Sequence, residues 1–305
     1  YSGAPEISLV NNVRLVDDPI LDWRTIPNSE FNQGGVLHKF NSAGFRDVEH
    51  AIEKPSGITR IIVLGDSLSE GLGIRWEYVF AHVLQSQLGK EFEVINMGVS
   101  ALNTPQEVHL FEQEGIKYNP DLVLVNFVLN DCDFYSSLKE AQHSRPKNES
   151  KIVLLDIPIN PELKRSLKSS AFIYFVHQRV HELKAKLMGI HEKDYYTRLW
   201  ESEECRDRIT NGFDKLALLQ SKHQFNVAVV VWPFIADYDH YDFGFVHEWI
   251  KNQAQMRGFK ILDLIEIFAK LPYHSLQITV DDNIHANALG HRLAVEFFMK
   301  WYRPE

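Results

Sequence analysis

The chain has only two cysteines, Cys132 and Cys205. They are too few and too far apart for a metal cluster or a disulfide framework. A single bridge between them stays open, and for Cys132 the default reading is a small buried thiol. Long apolar runs are also missing. The best stretch, Ala171 to Val176, is broken at once by His177, Gln178 and Arg179, far short of the roughly 20 residues a membrane-spanning helix needs. Basic residues are not in excess: 32 Lys and Arg stand against 41 Asp and Glu, a formal net charge of -9. No Lys/Arg run could track a phosphate backbone, which argues against a nucleic-acid partner. A phosphate loop is absent too, because Gly71 and Gly73 lead into Ile74 and Arg75 where Gly-Lys-Ser/Thr or G-x-G-x-x-G would be required. His240, His247, His274 and His291 have no metal-ligand spacing with one another and read as surface or hydrogen-bonded side chains, so no metal is expected.

What is present is 305 residues of ordinary globular composition, 45% hydrophobic and 24% charged, enough for one large domain with additions. The stretch Ile61 to Gly73, IIVLGDSLSEGLG, runs from β-branched and apolar residues into Gly65-Asp66-Ser67, a buried strand ending in a tight turn. From Arg60 onward strands and amphipathic helices alternate. Arg60 to Leu64 precedes a helix near 76 to 89, Phe92 to Asn96 one near 105 to 117, and Asp121 to Leu129 a long irregular stretch. Val227 to Trp232 then leads to a helix near 243 to 256, and Phe259 to Leu264 to a last one at about 287 to 302. This rhythm predicts a five-stranded parallel sheet covered on both faces, a doubly wound α/β/α sandwich.

Residues 1-58 read as a strand-and-turn extension packed on the main domain of 59-305, with short apolar pieces such as Ile7 to Val10 and Val36 to Phe40. Asn41 to Arg46 is a turn with a structural role. A mostly helical insertion is expected at about 133-224, with a polar loop over 139-151 and helical spacing in Phe172 to Leu187 and Arg206 to Leu219. Asn148-Glu149-Ser150 matches a glycosylation sequon by chance. The chain begins at Tyr1 rather than Met, which leaves room for an export signal or anchor upstream and favours an extracytoplasmic location.

In a doubly wound sheet the carboxyl ends of neighbouring strands lie side by side, so the turns carrying Ser67, Gly98, Asn130 with Asp131, and Asp282 with His285 converge on one crevice. Such a set can carry acyl transfer. Ser67 is the nucleophile, His285 its base and Asp282 the carboxylate that orients the imidazole, one turn away; Asp281 is a rival orienter. The Ser67 and Gly98 N–H groups and the Asn130 amide form the oxyanion hole, each donor worth roughly 3 kcal/mol, with Asp66 and Asp131 in support. Singly, each block reads as a turn or helix cap; together they read as a site. The aromatic run Pro233 to Trp249 either lines a substrate pocket or packs into the core.

Gly65-Asp66-Ser67-Leu68-Ser69, Gly98 within Asn96-Met97-Gly98-Val99, Asn130-Asp131, and Asp282-x-x-His285 resemble, in order, the four motif blocks of the GDSL-type or SGNH hydrolases. The likeness spans about residues 59 to 303. It implies a flavodoxin-like fold and cofactor-free ester hydrolysis by the Ser, Gly, Asn and His of those blocks. Asn41-Ser42-x-Gly44-Phe45-Arg46 ahead of the Gly-Asp-Ser strand also resembles a bacterial subgroup that is often exported or membrane-anchored. One departure stands out: Val128 occupies the place of the usual glycine in the third block, next to the expected pocket. The expected partner is a short-acyl, acetyl-type ester of a carbohydrate or similar small molecule. A lipid or lysophospholipid ester, an acyltransferase using the same site, and a non-catalytic ligand-binding protein are the alternatives.

Overall fold

The computed structural model describes residues 13-18, 20-21, 23-132, 153-154, 157-158, 192-280 and 282-302. The expected helix at 172-187, the polar loop at 139-151, the sequon, the piece at 7-10 and Asp281 lie outside these residues.

Two antiparallel ribbons open the described chain. β1 (Val13–Leu15) pairs with β2 (Trp23–Thr25), and β3 (Glu30–Gln33) with β4 (Val36–Lys39). They rest against the rest of the molecule through specific bonds: Trp23 Nε1 to the Ser100 carbonyl at 3.4 Å, Arg24 to Glu114 at 2.8 Å, and Asp18 to His109 at 3.1 Å.

Five strands then build one parallel sheet. β5 (Thr59–Leu64) is followed by the short helix α1 (Ser67–Glu70) and by α2 (Phe80–Leu88). β6 (Phe92–Asn96) leads to α3 (Thr104–Gln113), and then comes β7 (Leu122–Val128). After the two-residue strands β8 (Val153–Leu154) and β9 (Ile157–Pro158), the chain continues in α4 (Glu192–Glu201) and α5 (Glu203–His223). β10 (Asn226–Trp232), α6 (Gly244–Met256), β11 (Lys260–Asp263), α7 (Ile265–Phe268) and α8 (Ala288–Tyr302) complete it. The order across the sheet is β6-β5-β7-β10-β11. Every neighbouring pair is parallel, with Val63 opposite Leu124 and Phe127 opposite Val231. This is the flavodoxin-like arrangement, and its order reverses between β5 and β7.

The strand sequences explain the burial. β7 (LVLVNFV) is buried at every position and β10 (NVAVVVW) at all but its first, as expected for strands covered on both faces. One apolar cluster joins the sheet to α3, α5 and α6 through residues such as Phe111, Phe213 and Val246. The other joins it to α2 and α8 through Phe80, Trp232 and Phe298. α5 contains the helical spacing read at Arg206 to Leu219. It lies against α3 and covers the sheet on the crossover from β7 to β10.

One expectation is corrected here. Cys132 is not a free thiol: it is bonded to Cys205, with 5.1 Å between Cα atoms and a sequence separation of 73. The packing of α5 beside the end of β7 brings together two residues whose spacing in sequence gives no hint of contact. In the chain-entropy picture, closing a loop of that size stabilises the fold by about 4 kcal/mol.

Candidate active site

Three blocks of the site follow the carboxyl ends of β5, β6 and β7, the fourth lies in the loop before α8, and the local sequence explains how each is held. β5 runs into Gly65, whose φ of 151° and tight surroundings admit no side chain: a Cβ there would lie 2.2 Å from Ser69 Oγ. Asp66 then caps α1, its Oδ1 accepting from the Leu68 N–H at 2.9 Å, so Ser67 begins the helix at the end of the strand. At the other end of the chain, Asp282 Oδ1 accepts from the N–H groups of Ile284 and His285 at 3.0 and 2.8 Å. That Asx turn folds the carboxylate back under its own imidazole.

The structure brings the sequence-distant residues together. Ser67 Oγ lies 2.9 Å from His285 Nε2, and His285 Nδ1 lies 3.0 Å from Asp282 Oδ2. The Asn130 amide donates to Asp66 Oδ2 at 3.1 Å. Asp131 stands behind this turn, its Oδ2 accepting from Thr104 Oγ1 at 3.2 Å and from the Val128 N–H at 3.3 Å. Gly98 lets the turn after β6 touch α1, because a Cβ there would be 2.4 Å from the Glu70 nitrogen and 2.6 Å from the Ser69 carbonyl carbon.

Residues 63–293 match the GDSL-like lipase/acylhydrolase family. The chain belongs to that family.

As a GDSL-type protein it is a carboxylic ester hydrolase. Its fold resembles that of TesA, at 13% identity and a TM-score of 0.50, over 81% of this chain and 99% of that one. An acetyl xylan esterase, AlAXEase, matches at 14% identity and a TM-score of 0.49, over 80% of this chain and 100% of that one. An acetylxylan esterase from Geobacillus stearothermophilus, a catalytic mutant, matches at 13% and 0.47, over 79% and 93%. No curated protein matches the sequence.

The electrostatics of this GDSL site follow from its burial. Burial pushes the His285 imidazole down, but the hydrogen bond and charge of Asp282, with Asp66 and Glu70 beyond, outweigh it and hold its pKa above the ordinary value. Burial raises Asp282, and the hydrogen bonds from the His285 side chain and from the His285 and Ile284 backbone bring it below the usual carboxylate range. Behind Ser67 lie four buried carboxyls. Burial raises Asp66 and Glu70, and it raises Glu107 and Asp131 further, because each faces the charge of a neighbouring acid.

Several supporting residues have no site role in the motif reading. Asn96 accepts the Gly98 N–H on Oδ1 at 3.0 Å and donates to the Ser69 carbonyl at 2.9 Å. Glu70 accepts from the N–H and hydroxyl of Ser100 at 2.8 and 2.7 Å. Arg46, buried at 1% exposure, donates to the carbonyls of Glu70, Gly71 and Ile74, so the Asn41 to Arg46 turn braces the end of α1. Asn41 itself holds that turn, its Oδ1 accepting from the N–H groups of Ala43 and Phe45. The only signal for Arg46 was its place in the Asn-Ser-x-Gly-Phe-Arg turn. Val128 is 1% exposed and packs in the cluster of Trp232 and Phe80. Its side chain fills core, not pocket.

A cavity of about 100 Å³ adjoins the loop of Asp282 and His285, with Ile284 and Asn283 in its wall. Its floor is aromatic, from Tyr196, Phe234 and Phe243, and exposed His240 and Asp242 stand at its rim. Tyr241 is fixed there: its hydroxyl accepts from the Phe234 N–H at 3.1 Å and bonds His247 Nε2 at 3.0 Å, while His247 Nδ1 bonds Asp263 at 2.8 Å. The aromatic run thus serves both core and cavity. Among the described residues no group of side chains could hold a metal ion, and no helix is long and apolar enough to cross a membrane.

Proposed function

We propose that this ester hydrolase works through an acyl-enzyme on Ser67. The observation that carries the reading is the continuous chain Ser67 Oγ, His285 and Asp282, at 2.9 and 3.0 Å. His285 Nε2 takes the hydroxyl proton as Oγ attacks the ester carbonyl, and Asp282 stabilises the imidazolium that forms. The proton then passes to the departing alcohol. Water, activated by the same imidazole, releases the acid and frees Ser67.

The negative oxygen of the tetrahedral intermediate needs donors. The Ser67 N–H has no acceptor among the described residues, and the Asn130 amide spends one of its two N–H groups on Asp66. These two are the main donors. The Gly98 turn takes the third place, where the Gly98 N–H is shared with Asn96 Oδ1 and the Ala101 N–H, in a left-handed residue (φ 62°), has no acceptor among the described residues.

For substrate we favour a short-acyl ester, acetyl first, on a carbohydrate or similar small alcohol. The cavity beside His285 supports this. Aromatic walls suit the C–H surfaces of a ring, while Asp242, His240 and Asn283 offer polar groups to its hydroxyls. The Cys132–Cys205 disulfide supports an oxidising, extracytoplasmic location. The deciding experiment is hydrolysis of p-nitrophenyl esters from acetate to octanoate by wild type and Ser67→Ala, both shown folded by circular dichroism. Wild type is expected to cleave acetate best and Ser67→Ala to lose turnover by roughly a thousandfold or more. A fully active Ser67→Ala would overturn the serine mechanism, and a preference for octanoate would move the substrate to lipids.

A further inference from the structure

Asn130 is held with little of its own. Its side chain makes one hydrogen bond, to Asp66 at 3.1 Å, and its buried Oδ1 has no partner among the described residues. Where its amide points is therefore set by that one bond and by the backbone of the turn from Leu129 to Cys132. Two contacts hold the start of that turn firmly: Trp200 Nε1 donates to the Leu129 carbonyl at 2.8 Å, and the Asp131 N–H to the Val128 carbonyl at 2.9 Å. Its far end is held more loosely, by Thr104 Oγ1 and Thr104 N–H on Asp131 at 3.2 and 3.4 Å. The next residue is Cys132, bonded to Cys205 in the first turn of α5. That turn is itself fixed, since the Cys205 N–H donates to the Ser202 hydroxyl at 3.1 Å and α5 packs against α3. The cross-link clamps the chain at the point where it leaves the sheet for the long connection to α4.

We propose that the Cys132–Cys205 disulfide is a positioning element of the active site, holding the turn after β7 so that the Asn130 amide meets the oxyanion. The inference rests on the serine-esterase reading above and adds to it. Both cysteines are almost fully buried, at 1% and 0% exposure, so the bridge is a static brace rather than a switch reached from solvent. Because the oxyanion forms only in the tetrahedral intermediate and the transition states that flank it, and not in the bound ester, a misplaced amide lowers kcat and leaves substrate binding alone.

The test compares four full-length proteins: wild type, Cys132→Ala/Cys205→Ala, Asn130→Ala, and the triple variant. Turnover of p-nitrophenyl acetate is expressed per active serine, titrated with a phosphonate, so that unfolded material does not count. The double alanine variant is expected to lose about tenfold in kcat with KM unchanged within about twofold, and the same pair of changes to have under twofold effect once Asn130 is alanine. Retention of wild-type kcat without the bridge, or the same tenfold loss in the Asn130→Ala background, would overturn the proposal. Full kcat in Asn130→Ala alone would remove the oxyanion role and the proposal with it, while the Ser67→Ala result judges the serine mechanism separately. If the double alanine protein does not fold, Cys132→Ser/Cys205→Ser carries the same comparison.

Discussion

Asp66 bonds Asn130 across the switch point of the sheet: its Oδ2 accepts from the Asn130 amide at 3.1 Å while its Oδ1 caps α1 at the Leu68 N–H, 2.9 Å away. One buried carboxylate thus ties the serine-bearing helix after β5 to the turn after β7. Asp66→Ala is expected to lower kcat on p-nitrophenyl acetate by about tenfold, because the Asn130 amide loses its anchor. Loss of the cap is expected to cost about 1 kcal/mol in urea unfolding. Unchanged kcat would mean that Asn130 is aimed by its backbone alone.

The pH dependence follows from His285. The imidazole must be neutral to accept the serine proton, and Asp282 holds its pKa above the ordinary histidine value, so kcat/KM is expected to rise with pH through a midpoint above about 6.5. Asp282→Asn removes the charge that raises it, and the midpoint should move to lower pH while the maximum rate falls by about a hundredfold or more. Stability runs the other way for the histidine. Its raised pKa contributes below the unfolded value and is lost as pH rises through the folded one, whereas the lowered Asp282 contributes above its unfolded value and is lost as pH falls through the folded one. A rate profile from about pH 5 to 9 on both proteins checks the two midpoints, unfolding in urea over the same range checks the stability linkage, and a flat rate profile would count against His285 as the base.

Gly98→Ala is expected to damage the site by contact alone. The added methyl would meet the Glu70 nitrogen at 2.4 Å and the Ser69 carbonyl carbon at 2.6 Å, and these are backbone atoms that cannot move without shifting Ser67. A destabilisation of about 1–3 kcal/mol and a kcat loss beyond tenfold are expected, read by denaturant unfolding and active-serine titration. Normal stability and turnover would show that the turn can retreat from α1.

The rim of the cavity tests the substrate. Asp242 is exposed and lines it, so Asp242→Ala should leave p-nitrophenyl acetate turnover near wild type. KM for an acetylated sugar is expected to rise about three- to tenfold, the worth of one lost hydrogen bond. An equal change on both substrates would place Asp242 outside sugar binding.

Much of the fold was legible in the sequence because its signals are local. A strand such as Arg60 to Leu64 or Val227 to Trp232 announces itself by consecutive β-branched residues, and the structure puts β5 at Thr59–Leu64 and β10 at Asn226–Trp232. The convergence of Ser67, Asn130 and His285 was also legible, since parallel strands carry their carboxyl-end turns to one edge. The contacts of Arg46 with the end of α1 and of Cys132 with Cys205 were not. They depend on how a turn and a helix dock on the sheet, and no spacing in the sequence encodes that docking.

The sequence by itself determined the order of strands and helices, the tight Gly65-Asp66-Ser67 turn and the Asp282 to His285 spacing, because each is fixed by residues within a few positions of one another. Only the tertiary structure decided which carboxyls are buried behind Ser67, that Val128 fills core and not pocket, and that the aromatic run is both floor of a cavity and part of the core. Burial and hydrogen-bond partnership are properties of the packed whole, set by which faces of distant elements meet.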